Sequence, residues 1–179
     1  PLTHTNNGWL NLDGSEYIDC GKSSVLANIF DGGGTVSGWL KNDSTDFTTV
    51  IEKDRWEVNL DGGVKIRLYH YFSGDEGLWI TTNAVITLGQ WTHFAITYDS
   101  SSSSNNAVIY INSVSVAVTE EDTPTGTRDA DIASVLKIGT RNWLAGFFSG
   151  QLDEIKVYDR ALSVAEITKN YNHGKSKHS

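Results

Sequence analysis

The stretch at residues 148–167 constrains the fold most strongly, because a strand pattern there gives way within a few residues to the start of a helix. Between residues 152 and 158, Leu152, Ile155 and Val157 mostly alternate with charged residues, as in a strand with one buried face. Ser163 and Glu166 then form a Ser-x-x-Glu capping box. The sequence therefore predicts a strand that ends near residue 158 and a short helix after it.

Three other segments combine a strand pattern with distinctive end residues. The first segment starts with Trp91-Thr92-His93-Phe94. The second is Val108-Ile109-Tyr110-Ile111-Asn112, and the third is Leu136-Lys137-Ile138-Gly139. With the closing residues Gly150-Gln151-Leu152-Asp153-Glu154-Ile155 and Tyr158-Asp159-Arg160-Ala161-Leu162-Ser163, they resemble in the same order the signature of laminin-G-like domains of the concanavalin A-like lectin/glucanase superfamily. The resemblance implies an all-β, concanavalin A-like jelly-roll sandwich of two antiparallel sheets, with a short C-terminal helical turn.

Length and composition fit one folded domain. A chain of 179 residues can bury a full sandwich core, and 39% hydrophobic with 20% charged residues is ordinary for a globular protein. We predict a single domain over residues 1–172 and a flexible, polar tail over residues 173–179. The net charge of -8 leaves no basic surplus to replace counterions along a phosphate backbone, which argues against nucleic acid as a partner.

The sequence contains no apolar run of the roughly 20 residues that a membrane-spanning helix needs, so membrane insertion is not predicted. The chain begins with proline, contains no methionine and shows no signal peptide. We expect a domain of a longer parent protein, and the family resemblance implies an extracellular or cell-surface location.

A predicted hairpin in the middle of the chain has one basic and aromatic face. Residues 48–60 and 64–72 are predicted strands joined across Asp61-Gly62-Gly63, a hairpin signal. In the second strand, one face carries Lys65, Arg67, Tyr69 and Tyr71. If this face is exposed, it offers rings for stacking and cations for acidic groups.

Ligand-binding candidates are aromatic and polar positions that the family pattern does not require. Trp143 is the strongest of them, because it follows a strand in a loop, and loops at the rim of a rigid sandwich commonly carry recognition. Sugar faces pack on aromatic rings, while hydroxyls and carboxylates accept hydrogen bonds from Arg, Asn and Lys. The candidate residues are Trp143, Arg141, Asn142, Arg67, Tyr69, Tyr71, Trp79 and Lys65. Trp56 fits either a ligand or a core role, whereas Trp39 and Trp91 are predicted to be structural.

The segment at residues 52–57 fits the Glu-x-Asp-x-x-Glu pattern of retaining glucanases built on the same sandwich. In those enzymes two glutamates about 5 Å apart act as nucleophile and acid/base. On one continuous strand, Glu52 and Glu57 would share a face only if the strand were bulged. Lys53 and Arg55 would also keep the carboxylates ionised, which does not suit a protonated acid.

Calcium is the cofactor that the resemblance implies. Similar domains bind it between the opening segment and the closing strand, through the oxygen ligands that a hard cation prefers. Asp13, Glu16 and Asp153 are the predicted ligands of a structural calcium ion. Asp13 could instead form an Asx-turn, and Asp153 could cap a strand end.

These observations predict a non-catalytic carbohydrate-binding module of a secreted or surface multidomain protein. Its partners would be a polysaccharide or glycan and the other domains of the parent protein, and the stripe of Lys65, Arg67, Tyr69 and Tyr71 favours an acidic glycan. Two alternatives remain open at this point. One is a structural or adhesive protein-binding domain of a cell-surface or viral fibre protein, and the other is a retaining β-glucanase that uses Glu52 and Glu57.

Overall fold

The computed structural model describes residues 8–179, so the predicted domain start at residue 1 lies outside the described residues. The strands are β1 (Leu10–Asp13), β2 (Ile18–Asp19), β3 (Gly34–Asn42), β4 (Thr48–Glu52), β5 (Trp56–Asp61), β6 (Lys65–His70), β7 (Gly77–Thr81), β8 (Thr92–Tyr98), β9 (Val108–Ile111), β10 (Val114–Ser115), β11 (Val118–Asp122), β12 (Lys137–Ile138) and β13 (Ser149–Tyr158). A 3-10 turn at Ser24–Leu26 precedes β3, and helix α1 (Val164–Lys175) follows β13. Within these residues, no helix is long and apolar enough to cross a membrane.

The strands form two antiparallel sheets, which confirms the predicted jelly-roll sandwich. The six-stranded sheet has the order β1-β13-β3-β8-β9-β10, and the seven-stranded sheet has the order β11-β7-β6-β5-β4-β12-β2. The strands next to each other in the sheets are often far apart in the sequence, as when β13 pairs with both β1 and β3. The first and last strands of the chain therefore lie side by side.

The core lies between the sheets and follows from the alternation of side chains along each strand. Val58 and Leu60 of β5 and Ile66 and Leu68 of β6 all belong to the buried hydrophobic cluster. Because successive side chains point to opposite faces of a strand, the residues between them point away from the core. The outward side of the seven-stranded sheet is thus defined by the same pattern that builds the core.

The predicted strand at residues 48–60 is in fact two strands, β4 and β5, joined by a tight turn. In that turn the N–H of Lys53 donates to the carbonyl of Trp56 at 2.9 Å, and Asp54 has a positive φ of 52°. The side chain of Lys53 is fully buried, and its Nζ donates to the Asp131 carboxylate at 2.9 Å. The chain reverses at this point, and the buried ion pair ties the turn to residue 131. The sequence pattern did not reveal this contact.

The closing segment forms the predicted strand and helix. The side chain of Ser163 accepts a hydrogen bond from the N–H of Glu166, and the Glu166 side chain accepts one from the N–H of Ser163, so both bonds of the capping box are present. Helix α1 packs on the outward side of the six-stranded sheet, where Ile167 and Leu162 form a small buried cluster with Ala95. That side of the sandwich is therefore covered.

The helix and the residues after it extend this cover. The predicted boundary between residues 172 and 173 falls inside α1, which continues to Lys175. His178 is buried and stacks on Trp39, with ring centroids 4.4 Å apart. Trp91 also packs on His178 at a centroid distance of 4.5 Å, in agreement with the structural role predicted for both tryptophans.

Candidate functional site

The outward side of the seven-stranded sheet carries most of the predicted ligand-binding residues. We use the term outer face for the outward-facing residues of β4, β5 and β6 and the residue after β6, namely Thr49, Glu52, Glu57, Asn59, Asp61, Lys65, Arg67, Tyr69 and Tyr71. In the strand register Glu57 lies opposite Tyr69, and Asn59 lies opposite Arg67. The predicted stripe on β6 therefore lies beside a polar row on β5.

A loop from residue 139 to residue 148 is tied to the centre of this face by an ion pair. Arg141 donates from Nε to Oε2 of Glu57 at 2.8 Å and from Nη2 to Oε1 at 2.6 Å. The Glu57 side chain is almost completely buried, and Nη2 of Arg67 lies 4.0 Å from its Oε1. Two charge-assisted bonds with parallel geometry fix both the loop and the carboxylate.

Both arginines of this site lie close to the ring of Phe47. The guanidinium carbon of Arg141 is 4.2 Å from the Phe47 ring centroid, and that of Arg67 is 4.7 Å from it. Gly146 runs close to the same ring, since a Cβ on it would lie 3.3 Å from two Phe47 ring atoms and from the Thr49 hydroxyl. A side chain there would be crowded, and Gly146 also has a positive φ of 62°, a backbone conformation that other residues rarely adopt.

The same face contains a row of polar side chains, several of whose atoms have no hydrogen-bond partner among the described residues. Thr49, Asn59 and Arg67 are aligned across three neighbouring strands. Asn59 is 0% exposed, and both of its amide atoms lack a hydrogen-bond partner among the described residues, as do Oγ1 of Thr49 and Nε of Arg67. Each such group costs about 1–3 kcal/mol when it is buried unpaired. Because these atoms have almost no accessible surface, the row forms part of the interior beneath the outer face.

Glu52 lies directly opposite Glu57 on the neighbouring strand. It is 2% exposed, and its Oε2 has no hydrogen-bond partner within residues 8–179. Burial, reinforced by the negative charge of Glu57, raises the pKa of Glu52 to about 7, against the opposing effect of a hydrogen bond from the backbone N–H of Asn142. The site thus contains a carboxyl group that changes its charge near neutral pH.

The rim of the outer face carries the exposed aromatic groups. Trp143 is 57% exposed, and the guanidinium carbon of Arg141 lies 5.1 Å from its ring centroid. The backbone carbonyl of Asn142 accepts a hydrogen bond from Nζ of Lys137 at 3.0 Å, which anchors the loop under Trp143. The rings of Tyr69 and Tyr71 pack edge to face with their centroids 4.9 Å apart, and both side chains are partly exposed.

Two of the predicted ligand-binding residues lie away from this centre. Trp79 is 1% exposed and belongs to the core, where its Nε1 donates to Oδ1 of Asn106 at 2.8 Å. It is therefore not available to a ligand, and its neighbours Leu78 and Ile80 face outward instead. Trp56 is likewise a core residue. Lys65 lies at the far end of the outer face, opposite Asp61.

The two candidate glucanase residues share a face without a bulged strand, because the turn after Glu52 brings Glu57 back alongside it. They lie next to each other in one sheet and are both buried, so no open cleft separates them. Glu57 is also bound by Arg141. This arrangement is that of a structural ion pair with a neighbouring carboxyl group.

The predicted calcium ligands do not come together. Asp13 and Glu16 line a cavity of about 460 Å³ together with Asp43, whereas Asp153 is bound by Lys177 and His178 at 2.6 and 2.9 Å. Oδ1 of Asp13 accepts hydrogen bonds from the N–H and hydroxyl of Ser15, which is the predicted Asx-turn. The described residues contain no group of three acidic, His or Cys side chains that could hold a metal ion. The calcium site stays a prediction that this geometry does not favour.

Sequence reasoning missed three residues of the site: Phe47, Thr49 and Asn59. Asn59 could have been found, because the hairpin at Gly62-Gly63 pairs it with Arg67 and its alternation with Val58 and Leu60 points it outward. Phe47 belongs to a loop, and its position next to two arginines depends on contacts across the chain. No local pattern signals such a contact.

Comparison with solved structures identifies the same fold in several binding domains. The botulinum neurotoxin serotype G binding domain superposes with a TM-score of 0.71 at 19% identity, over 98% of this chain and 45% of that chain. The binding domain of Paraclostridial Mosquitocidal Protein 1 gives a TM-score of 0.68 at 17% identity, over 92% of this chain and 43% of that one. This chain therefore spans less than half the length of these two domains.

A third structure is similar over nearly its whole length. The CBM40 of the Ruminococcus gnavus IT-sialidase, solved bound to alpha2,3 sialyllactose, gives a TM-score of 0.70 at 12% identity, over 92% of this chain and 96% of that chain. No curated protein matches the sequence. At these identities the structural likenesses establish the fold.

Family membership follows from the sequence itself together with this topology. The laminin G-type family model described as the concanavalin A-like lectin/glucanases superfamily matches residues 12–168, which include all strands from β2 to β13 and the capping box of α1. The chain belongs to the concanavalin A-like lectin/glucanase superfamily, as a laminin-G-like domain.

Proposed function

We propose that this domain is a non-catalytic carbohydrate-binding module and that a glycan binds on its outer face. The observation that carries the proposal is the exposed ring of Trp143, held next to Arg141 at the rim of the outer face on which Arg67, Tyr69 and Tyr71 are partly exposed. A sugar ring matches this combination, since it presents an apolar face for stacking and hydroxyl groups that both donate and accept hydrogen bonds.

The position of the face also supports the proposal. Helix α1 covers the outward side of the six-stranded sheet, whereas the outer face is bordered by the loop that carries Trp143. Rigid strands hold the polar groups, and a rim loop supplies the aromatic ring, which is a common division of roles in binding domains. The solved CBM40, which has the same fold, is bound to alpha2,3 sialyllactose, and this supports a glycan as the class of ligand.

The parent protein and its location belong to the same proposal. A single module with one fully exposed stacking ring would bind with modest affinity, and several modules in one protein would bind more strongly through avidity. We therefore propose a multidomain parent protein at the cell surface or outside the cell. A calcium ion is not needed for any of these contacts.

The direct test is a calorimetric binding screen of this chain against neutral and acidic polysaccharides. Trp143→Ala should weaken binding of the recognised class by about tenfold, and Tyr71→Ala, which removes a partly exposed ring of the same face, should weaken it as well. Val164→Ala is the matched control, because Val164 is 56% exposed, like Trp143 at 57%, but lies on α1 at the opposite side of the sandwich. Absence of binding across a broad panel would reject the proposal in favour of a structural or adhesive protein-binding domain.

A further inference from the structure

The cation at the centre of the outer face lies among carboxylates. Arg67 is partly exposed, and its Nη2 is 4.0 Å from Oε1 of Glu57. Its charge also interacts with the carboxylates of Asp61 and Glu121 and, with the opposite sign, with the guanidinium of Arg141. Three carboxylates therefore act on Arg67 against one other cation, and they offset its attraction for an incoming anion.

The two other cations of the face are matched in the same way. Arg141 directs two hydrogen bonds, of 2.6 and 2.8 Å, to Glu57. Lys65 lies directly opposite Asp61 in the register of β5 and β6, and opposite charges in such cross-strand positions attract each other. An anionic ligand would have to compete with these carboxylates for both cations.

The partly exposed rings of the face also lie close to carboxylates. The hydroxyl of Tyr69 donates a hydrogen bond to Glu76, and Tyr71 interacts electrostatically with Glu52, Glu57 and Glu76. A carboxylate accepts hydrogen bonds from the hydroxyl groups of a neutral sugar but repels a second anion. The surroundings of both rings therefore favour a ligand without negative charge.

Two cations at the border of the face are likewise engaged by the protein. The guanidinium carbon of Arg55 is 5.9 Å from the ring of Tyr71, but Arg55 pairs with Asp54 and Asp129 at 3.4 and 3.5 Å. Lys137 directs its ammonium group to a backbone carbonyl at 3.0 Å. These cations are therefore occupied by oxygen atoms of the protein itself.

We propose that the outer face binds an uncharged stretch of glycan and discriminates against anionic glycans, because the carboxylates around Arg67, Tyr69 and Tyr71 repel a second negative charge. This inference rests on the proposed function, since it names the class of glycan that the same site binds. The stripe on β6 favoured an acidic glycan in the sequence, where the carboxylates that other elements bring beside it were not apparent. A neutral sugar suits both parts of the face, because its hydroxyl groups donate to carboxylates and its apolar side stacks on rings.

The test compares three chemical forms of the same sugar by isothermal titration calorimetry with the whole chain. The probes are oligosaccharides of glucose, mannose and galactose. Each is used unmodified, with its primary alcohols oxidised to carboxylates, and as the methyl ester of the oxidised form, which keeps the added atoms without the charge. At about pH 7.5 the carboxylates are fully ionised. We expect the unmodified and esterified forms of a recognised sugar to bind about tenfold more tightly than the oxidised form in dilute buffer.

Salt and a charge reversal assign this difference to electrostatic repulsion. The difference should narrow at about 0.5 M salt, because exposed charges are then screened. Glu121 is exposed on β11 and acts on Arg67, so Glu121→Lys should bring the oxidised form to within about threefold of its methyl ester. Asp159→Lys is the control, since Asp159 is exposed just after β13 of the other sheet and gives the same change in net charge. It should leave the difference as in the wild type.

The outcomes separate the inference from the proposed function. If the oxidised form binds at least as tightly as its methyl ester, or if Glu121→Lys and Asp159→Lys behave alike, the inference is overturned and a glycan-binding site remains. An anionic polymer from the wider polysaccharide screen that binds more tightly than its carboxyl-reduced form has the same meaning. Absence of binding to all of these sugars and to the wider screen would overturn both.

Discussion

Arg141 donates two hydrogen bonds to Glu57, at 2.6 and 2.8 Å, across a separation of 84 positions in the sequence. The pair joins the loop that carries Trp143 to the middle strand of the seven-stranded sheet. One interaction therefore fixes the position of the exposed ring relative to the polar row beneath it. Removal of the pair should affect both stability and binding.

Arg141→Ala should lower the free energy of unfolding by about 2–4 kcal/mol, because it leaves the buried carboxylate of Glu57 without its partner. Chemical denaturation with urea measures the change. Arg160→Ala is the matched control, since Arg160 makes an equivalent two-bond pair with Glu166 at an exposed site, and its effect should be small. Equal losses in the two variants would show that burial of the Glu57 pair does not matter.

Glu52→Gln should stabilise the protein at alkaline pH and have little effect in acid. The folded-state pKa of Glu52 is raised from 4.5 to about 7, so its contribution to stability is present below about pH 4.5 and is lost as the pH rises through 7. The glutamine variant avoids this loss and should be more stable above about pH 8 by on the order of 1–3 kcal/mol.

The matched control is Glu166, whose pKa is shifted in the opposite direction to that of Glu52. Glu166 lies at the start of α1, and its hydrogen bonds to Arg160 and Ser163 lower its pKa to about 2. Glu166→Gln should therefore reduce the melting temperature at neutral pH, and the difference should vanish as the pH falls toward 2. Melting temperatures measured across the pH range test both variants, and a Glu52→Gln curve parallel to that of the wild type would contradict the raised pKa.

Asp131→Ala should be strongly destabilising, by about 3–5 kcal/mol, because the buried ammonium of Lys53 would lose its counterion. Trp56 would lose a partner as well, since its Nε1 donates to Oδ2 of Asp131 at 2.9 Å. Asp129→Ala is the control, because Asp129 pairs with Arg55 at 3.5 Å where both side chains are partly exposed. Urea denaturation should separate the two variants clearly, and similar small effects would mean that Lys53 is solvated in solution.

His178→Ala should lower the free energy of unfolding by about 1–2 kcal/mol through lost packing and hydrogen bonds. The His178 ring stacks on Trp39, and its Nε2 lies 2.9 Å from Oδ2 of Asp153. His173 is exposed on α1, so His173→Ala serves as the control. If the two histidine variants melt at the same temperature, residues 176–179 do not hold to the sheet in solution.

The sandwich could be predicted from the sequence because its strands alternate and its helix carries a capping box. The closing strand and Ser163 with Glu166 form as the local pattern requires. The burial of Lys53 could not be predicted from the local pattern, because it depends on Asp131, 78 positions away in the sequence. The resulting turn splits one predicted strand into β4 and β5 and brings Glu52 opposite Glu57.

Trp79 and Trp143 show the same limit for binding residues. Strand β7 is buried along its whole length, so the residues around Trp79 lack the polar alternation that would assign it to the core. Trp143 lies in a loop, where exposure depends on how Arg141 anchors the backbone. Residue type alone could not separate a core tryptophan from a binding one.

The measurement that tests the central claim most directly is NMR mapping of a bound glycan on the whole chain. The account predicts that chemical shifts change at the Trp143 indole and at Arg67, Tyr69 and Tyr71, while α1 and the six-stranded sheet stay unchanged. Shift changes confined to the cavity lined by Asp13 and Glu16, or to the surface of α1, would contradict the assignment of the outer face as the binding site.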